Sequence, residues 1–178
     1  MKSALNEKLL SASADGDIEG ILTAVKEGAD INGPDASSPY KYTPLIMASR
    51  SGYAEAVKAL IISKADLNLT DSKGYTALMN AAWFGKLDTV RVLIDSGARL
   101  DAVNADGNTA LMEACVMGHY EAVSMLLKAG ADISRINRTG HSAYDLAKTK
   151  EIRSAINKKM NLLNHIWFAI ARMIRKGS

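Results

Sequence analysis

The sequence holds a single cysteine, Cys115, so no disulfide can form within the chain and the fold must stand on packing alone. It has no long apolar run at its start. The opening Met1-Lys-Ser-Ala-Leu-Asn-Glu-Lys-Leu-Leu10 is broken by charge and does not read as a secretory signal, which makes the cytoplasm the default expectation. The histidines His119, His141 and His165 stand 22 and 24 residues apart, without the short spacing that gathers metal ligands, and no metal or cofactor is expected. No Gly-rich phosphate loop, Ser/His/Asp order or kinase-like signature is present, which argues against an enzyme. There is no low-complexity tract either, and 178 residues at 48% hydrophobic read as one packed domain.

A strong charge of one sign is also missing from the body of the chain. The net +3 is concentrated at the end: residues 158–178 carry Lys158, Lys159, Arg172, Arg175 and Lys176 with no acid, leaving residues 1–157 at −2. Without a basic stripe or a recognisable nucleic-acid module, nucleic acid is not an expected partner.

What the sequence does have is a period of 33 residues, marked by Thr43, Thr76, Thr109 and an echo at Ser142. Three glycine registers repeat it independently: Gly52, Gly85 and Gly118; Gly74, Gly107 and Gly140; Gly97 and Gly130. Within each unit an apolar triplet recurs at i, i+3, i+4 (Val57, Leu60, Ile61; Val90, Leu93, Ile94; Val123, Leu126, Leu127), which gives one helix a sticky face. Thr at a helix start caps orphan amides and Pro44 suits the first helical position, so each unit announces a first helix. Glycines at the helix ends let the chain leave through a left-handed conformation, and small residues such as Ala81, Ala82 and Ala114 let helices approach closely. Cys115 takes the small position of Ala82 one unit later and reads as a packed core thiol. One unit cannot bury its own apolar face, so the units must stack.

The stretch Asp71-Ser-Lys-Gly-Tyr-Thr-Ala-Leu-Met-Asn-Ala-Ala-Trp-Phe-Gly-Lys-Leu-Asp-Thr-Val-Arg-Val-Leu-Ile-Asp-Ser-Gly-Ala98 closely resembles the ankyrin repeat, and the resemblance extends over residues 5–157. It implies an all-α solenoid of stacked helix-turn-helix units with β-turn, hairpin-like loops, at about 5–32, 38–68, 71–101, 104–134 and 137–157, followed by a basic amphipathic helix over 158–178. The first and last units read as caps. The chain departs from the family pattern in one region: Gly16 to Gly52 is 36 residues, with three extra in Gly33–Pro39, and Lys41 and Lys64 stand where other units carry glycine, which predicts two strained or reshaped turns. The family's Thr-Pro-Leu-His becomes Thr-Pro-Leu-Ile, Thr-Ala-Leu-Met twice and Ser-Ala-Tyr-Asp, so its histidine is absent and Asp145 takes a structural role. His119 follows Gly118 at the family's Gly-His position, where a structural hydrogen bond is expected, and His141 reads as a solvated turn residue.

The resemblance also implies a function: non-catalytic binding of a protein through the concave face built by turn tips and the exposed side of the first helices. Carried onto this sequence, those positions are Tyr40, Tyr42 and Arg50, then Lys73, Tyr75, Asn80, Trp83 and Phe84, then Asp106, Asn108, Glu113, Val116 and Met117. Trp83 and Phe84 are larger than stacking requires, and burying either against a partner would contribute roughly 2 to 3 kcal/mol; the competing reading is that they fill gaps between units. A second surface is the tail, where Leu163, Ile166, Trp167, Ile170 and Ile174 share one helical face opposite cations that include Arg172 and Arg175. That stripe is too short to span a membrane and fits either docking on the last unit or lying on an anionic membrane surface, the alternative being a peripheral membrane adaptor. A monomer is the expected state.

Overall fold

The computed structural model describes the backbone of residues 2–176 and the side chains of residues 3–163. Its helices come in pairs: α1 (Lys2–Asp15) with α2 (Ile18–Lys26), α3 (Pro44–Ser51) with α4 (Ala54–Ile62), α5 (Ala77–Trp83) with α6 (Leu87–Asp95), α7 (Ala110–Met117) with α8 (Tyr120–Ala129), and α9 (Ala143–Leu146) with α10 (Lys150–Lys176). First helices stack as one layer, α1 on α3 on α5 on α7 on α9, and second helices as another, α2 on α4 on α6 on α8 on α10. The described residues form no strand, only isolated antiparallel bridges Thr70–Thr76 and Ile136–Ser142 that close two of the turns. The expected all-α solenoid is what the chain builds.

Each first helix begins as its sequence dictates. Thr43, Thr76 and Thr109 accept, through Oγ1, the amides of Ile46, Met79 and Met112 at 3.3, 3.2 and 3.3 Å. Ser142 does the same for Asp145, whose carboxylate accepts in return from the Ser142 amide at 2.8 Å, a reciprocal cap. The hydrogen bond from the Ser142 hydroxyl leads the effects holding the Asp145 carboxyl below its usual range, so this residue is structural.

Between the layers, Val57, Leu60, Val90, Leu93, Val123 and Leu126 are fully buried, while Ile61 and Ile94 at the rim of the predicted triplets are half-buried. Cys115 packs among them, and burial pushes its thiol up to about 12, so it remains protonated and unreactive. Units are tied by a side-chain ladder along the array: Asn32, Asn68 and Asp101 each accept, through Oδ1, an amide of the next unit, from Asp66, Arg99 and Asp132 at 2.9, 3.0 and 2.9 Å.

A second ladder runs along the turn tips, where the amides of Ser72, Ala105 and Arg138 donate to the carbonyls of Tyr40, Lys73 and Asp106 at 2.8, 2.9 and 3.0 Å. This close approach explains a glycine: a Cβ on Gly107 would lie 2.9 Å from the Arg138 nitrogen. One period earlier than Gly74, Lys41 adopts φ 56°, and Lys64 adopts φ 74°, so both predicted strained turns are present with lysine in the left-handed region.

At the far end α10 runs unbroken from the array to Lys176. Ile152 and Ile156 are buried on the last unit, whereas Leu162 and Leu163 are 54% and 44% exposed. Among the expected tail residues Ile166, Trp167, Ile170, Arg172, Ile174 and Arg175 lie outside the described side chains. Among the described residues no helix is long and apolar enough to cross a membrane.

Candidate functional site

Periodicity places the candidate residues. The positions 33 apart Tyr40, Lys73 and Asp106 sit at turn tips; Tyr42, Tyr75 and Asn108 precede the capping threonines; Arg50, Trp83 and Val116 lie near the ends of the first helices. Because tips and helix ends of neighbouring units stack, they line one face. Between the second and third units that face forms an open pocket of about 280 Å³ lined by Tyr40, Tyr42, Arg50, Asp71, Lys73, Tyr75, Asn80, Trp83 and Phe84.

The pocket is organised by cations resting on rings. Tyr40 and Tyr42 stack with centroids 5.4 Å apart and planes 12° from parallel. The Lys73 Nζ lies 5.3 Å from the Tyr40 centroid, and the Arg50 guanidinium lies 5.3 Å from Tyr42 and 4.6 Å from Phe84. Arg50 Nη1 also donates to the Tyr42 hydroxyl at 3.0 Å, a second tether on the guanidinium. Burial pushes the Tyr42 hydroxyl above its ordinary value, with Arg50 opposing, so the phenol stays protonated. Phe84 is 37% exposed and Tyr40 42% exposed, while Trp83 is half-buried.

Trp83 is braced from behind. His119 Nε2 lies 3.0 Å from the Trp83 carbonyl, and since a carbonyl only accepts, that nitrogen carries the hydrogen. The structural bond expected of His119 is therefore present, and it joins the end of α5 to the next unit. His141 is exposed, with Nδ1 2.8 Å from the Thr139 hydroxyl.

Two expected surface residues are not on the surface. Asn80 is 4% exposed, with Nδ2 donating to the Thr76 carbonyl at 3.1 Å, so it forms the floor of the pocket. Glu113 is fully buried: Oε1 accepts from Asn104 Nδ2 at 2.7 Å and from Asn108 Nδ2 at 3.1 Å. Glu113 is enclosed by the turn that leads into its own helix, through Asn104 and Asn108, and Asn80 by its bond back to the helix start, contacts that helical periodicity alone does not report. Burial raises the Glu113 carboxyl above its usual range against the pull of Asn108, Tyr75 and Asn104, and the adjacent Asp106 adds to the rise. Its Oε2 is buried without a hydrogen-bond partner among the described residues. Tyr75 is likewise pushed up, by burial first and then by the Glu113 charge. Asn108 belongs to this network and is joined onward to Asn137, whose Nδ2 donates to Asn108 Oδ1 at 2.9 Å. Asp106 is exposed, Val116 and Met117 are half-buried, and none of the three lines the pocket.

Sequence reasoning missed Asp71 and Asn104. Asp71 Oδ1 accepts the Lys73 and Tyr75 amides at 2.8 and 2.9 Å, and Asn104 Oδ1 accepts those of Asp106 and Asn108 at 3.0 and 2.9 Å. The signal was available in the register Asp71, Asn104, Asn137, since short polar side chains at that point stabilise a turn.

A family model described as ankyrin repeats (3 copies) matches residues 9–104 and 45–137. No curated protein matches the chain.

Proposed function

The chain belongs to the ankyrin repeat family, and we propose that it is a non-catalytic binding module, acting in the cytoplasm as a monomer, whose concave face takes a protein partner at the pocket around Trp83 and Phe84. Ankyrin repeats are generally protein-protein interaction modules. The observation that carries the finer reading is the pocket itself: a concave face with an exposed Phe84, a braced Trp83 and cations over aromatic rings has the composition of an interface hot spot. The pocket is open to solvent rather than enclosed, which suits side chains projecting from a larger partner.

The test is capture from native extract with the wild type and with Trp83→Ala/Phe84→Ala, followed by rebinding of each purified partner, with thermal melts on both chains. Loss of a partner by at least about 30-fold in a folded double variant supports the concave site, being the equivalent of the 2 kcal/mol expected of one hot spot. Unchanged rebinding of every partner overturns it.

The second reading, a peripheral membrane adaptor, draws on the exposure of Leu162 and Leu163 and on the basic tail. Sedimentation with anionic vesicles at low salt tests it, and a chain that stays in the supernatant removes it.

A further inference from the structure

We propose that the occupant of this pocket is an extended acidic segment of the partner, an Asp or Glu side chain meeting Arg50 and Lys73 beside an apolar side chain laid on Phe84 and Trp83. This rests on the concave-face reading and specifies its chemistry. Arg50 and Lys73 are both exposed and both held over rings, yet neither makes an ion pair among the described residues. The pairs present there, Lys58–Glu55 and Arg135–Asp132, are elsewhere on the array. The carboxylate that does line the pocket, Asp71, is buried and commits Oδ1 to two turn amides.

A cation already ordered by rings and by the Tyr42 hydroxyl loses little freedom when an anion arrives, which is the condition for tight recognition. Among the described residues Arg50 makes one side-chain hydrogen bond, to the Tyr42 hydroxyl, so its remaining N–H groups are left to donate to a planar carboxylate. A polyanion such as nucleic acid fits less well. The body of the chain is net −2, and one period beyond Lys73 the same turn-tip position is Asp106, so the positive surface ends within one unit.

The experiment is selection from a displayed library of random dodecapeptides on the full chain. Selected peptides are then measured on the wild type, on Arg50→Gln/Lys73→Gln, on Arg50→Lys and on Trp83→Ala/Phe84→Ala, with a melt of each. The expected consensus pairs Asp or Glu with an apolar residue, weakens at least about tenfold in Arg50→Gln/Lys73→Gln, and weakens less in Arg50→Lys, which keeps charge without the fork. A neutral or basic consensus, no enrichment, or acidic peptides that bind Arg50→Gln/Lys73→Gln as well as the wild type would each overturn it. Peptides lost on Trp83→Ala/Phe84→Ala but kept on Arg50→Gln/Lys73→Gln would leave the concave site standing and remove only its acidic preference. Displacement of a bound peptide by duplex DNA with greater affinity than any acidic peptide would reassign the cations to a polyanion.

Discussion

Two neighbouring stretches of the array put charged side chains to opposite uses. Between the second and third units the charges are cations, Arg50 and Lys73, exposed and laid on aromatic rings. One unit further the charge is a carboxylate, Glu113, withdrawn from solvent and wrapped by Asn104 and Asn108. Helix stacking decides where a side chain leaves the backbone; its neighbours decide whether it meets water. An exposed cation on a ring is available to a partner, whereas a buried carboxylate with amides on one oxygen and nothing on the other serves the array at some cost.

The sharpest way to break this distinction is to exchange the turn residues. Asn104→Asp keeps an oxygen for the Asp106 and Asn108 amides but replaces the Nδ2 donor, 2.7 Å from Glu113 Oε1, with a second carboxylate oxygen. Denaturant unfolding at neutral pH should record a loss of about 3 kcal/mol, the scale of a broken buried polar pair. The loss should shrink in acid, where the two carboxyls share a proton. The reverse exchange, Asp71→Asn, should cost less than about 0.5 kcal/mol, since asparagine already accepts the matching amides at positions 104 and 137. Equal costs would show that the two stretches do not differ as described.

Glu113→Gln comes next in size and has the opposite sign. Burial raises the folded carboxyl above the 4.5 of an unperturbed glutamate, so the folded state holds this proton more tightly than the unfolded chain. The stabilising contribution is therefore complete below the unfolded value and is lost as pH rises through the raised one. Glutamine keeps an oxygen for Asn104 and Asn108 while removing the buried charge. Melts should find the variant more stable by roughly 1 kcal/mol at pH 7 and level with the wild type below about pH 4. A difference that grows on acidification would contradict the burial argument.

The contrast also explains which features could be read from the sequence. The solenoid was legible because Thr43, Thr76 and Thr109, the recurrent glycines and the Val-Leu-Ile triplets all act locally or between identical neighbours, so repetition multiplies a weak signal. Cys115 and His119 were legible for the same reason, each standing at a position whose neighbours are known from the adjacent unit. Asn80 and Glu113 are buried because their side chains turn back on the start of their own units, to the Thr76 carbonyl and to Asn104 and Asn108, and the polar letters N and E give no sign of it. Pairing of Arg50 with Phe84 depends on side chains of two different units meeting over a helix end, which spacing places nearby without setting in contact.

The smallest expected effect concerns the tip of the cation-bearing stretch. Lys41 shares a register with Gly74, Gly107 and Gly140 but holds φ 56° as a lysine. A side chain in the left-handed region costs about 1–2 kcal/mol, glycine returns roughly 0.5–1 kcal/mol of that through its freer unfolded chain, and the Lys41 Nζ bond to the Ala36 carbonyl is forfeited. Lys41→Gly should therefore stabilise by only about 0.5 kcal/mol in a thermal melt. Because Lys41 does not line the pocket, affinity for an acidic peptide should stay within about twofold of the wild type. A tenfold loss would extend the positive surface to this tip and make the lysine, despite its backbone strain, part of the binding face.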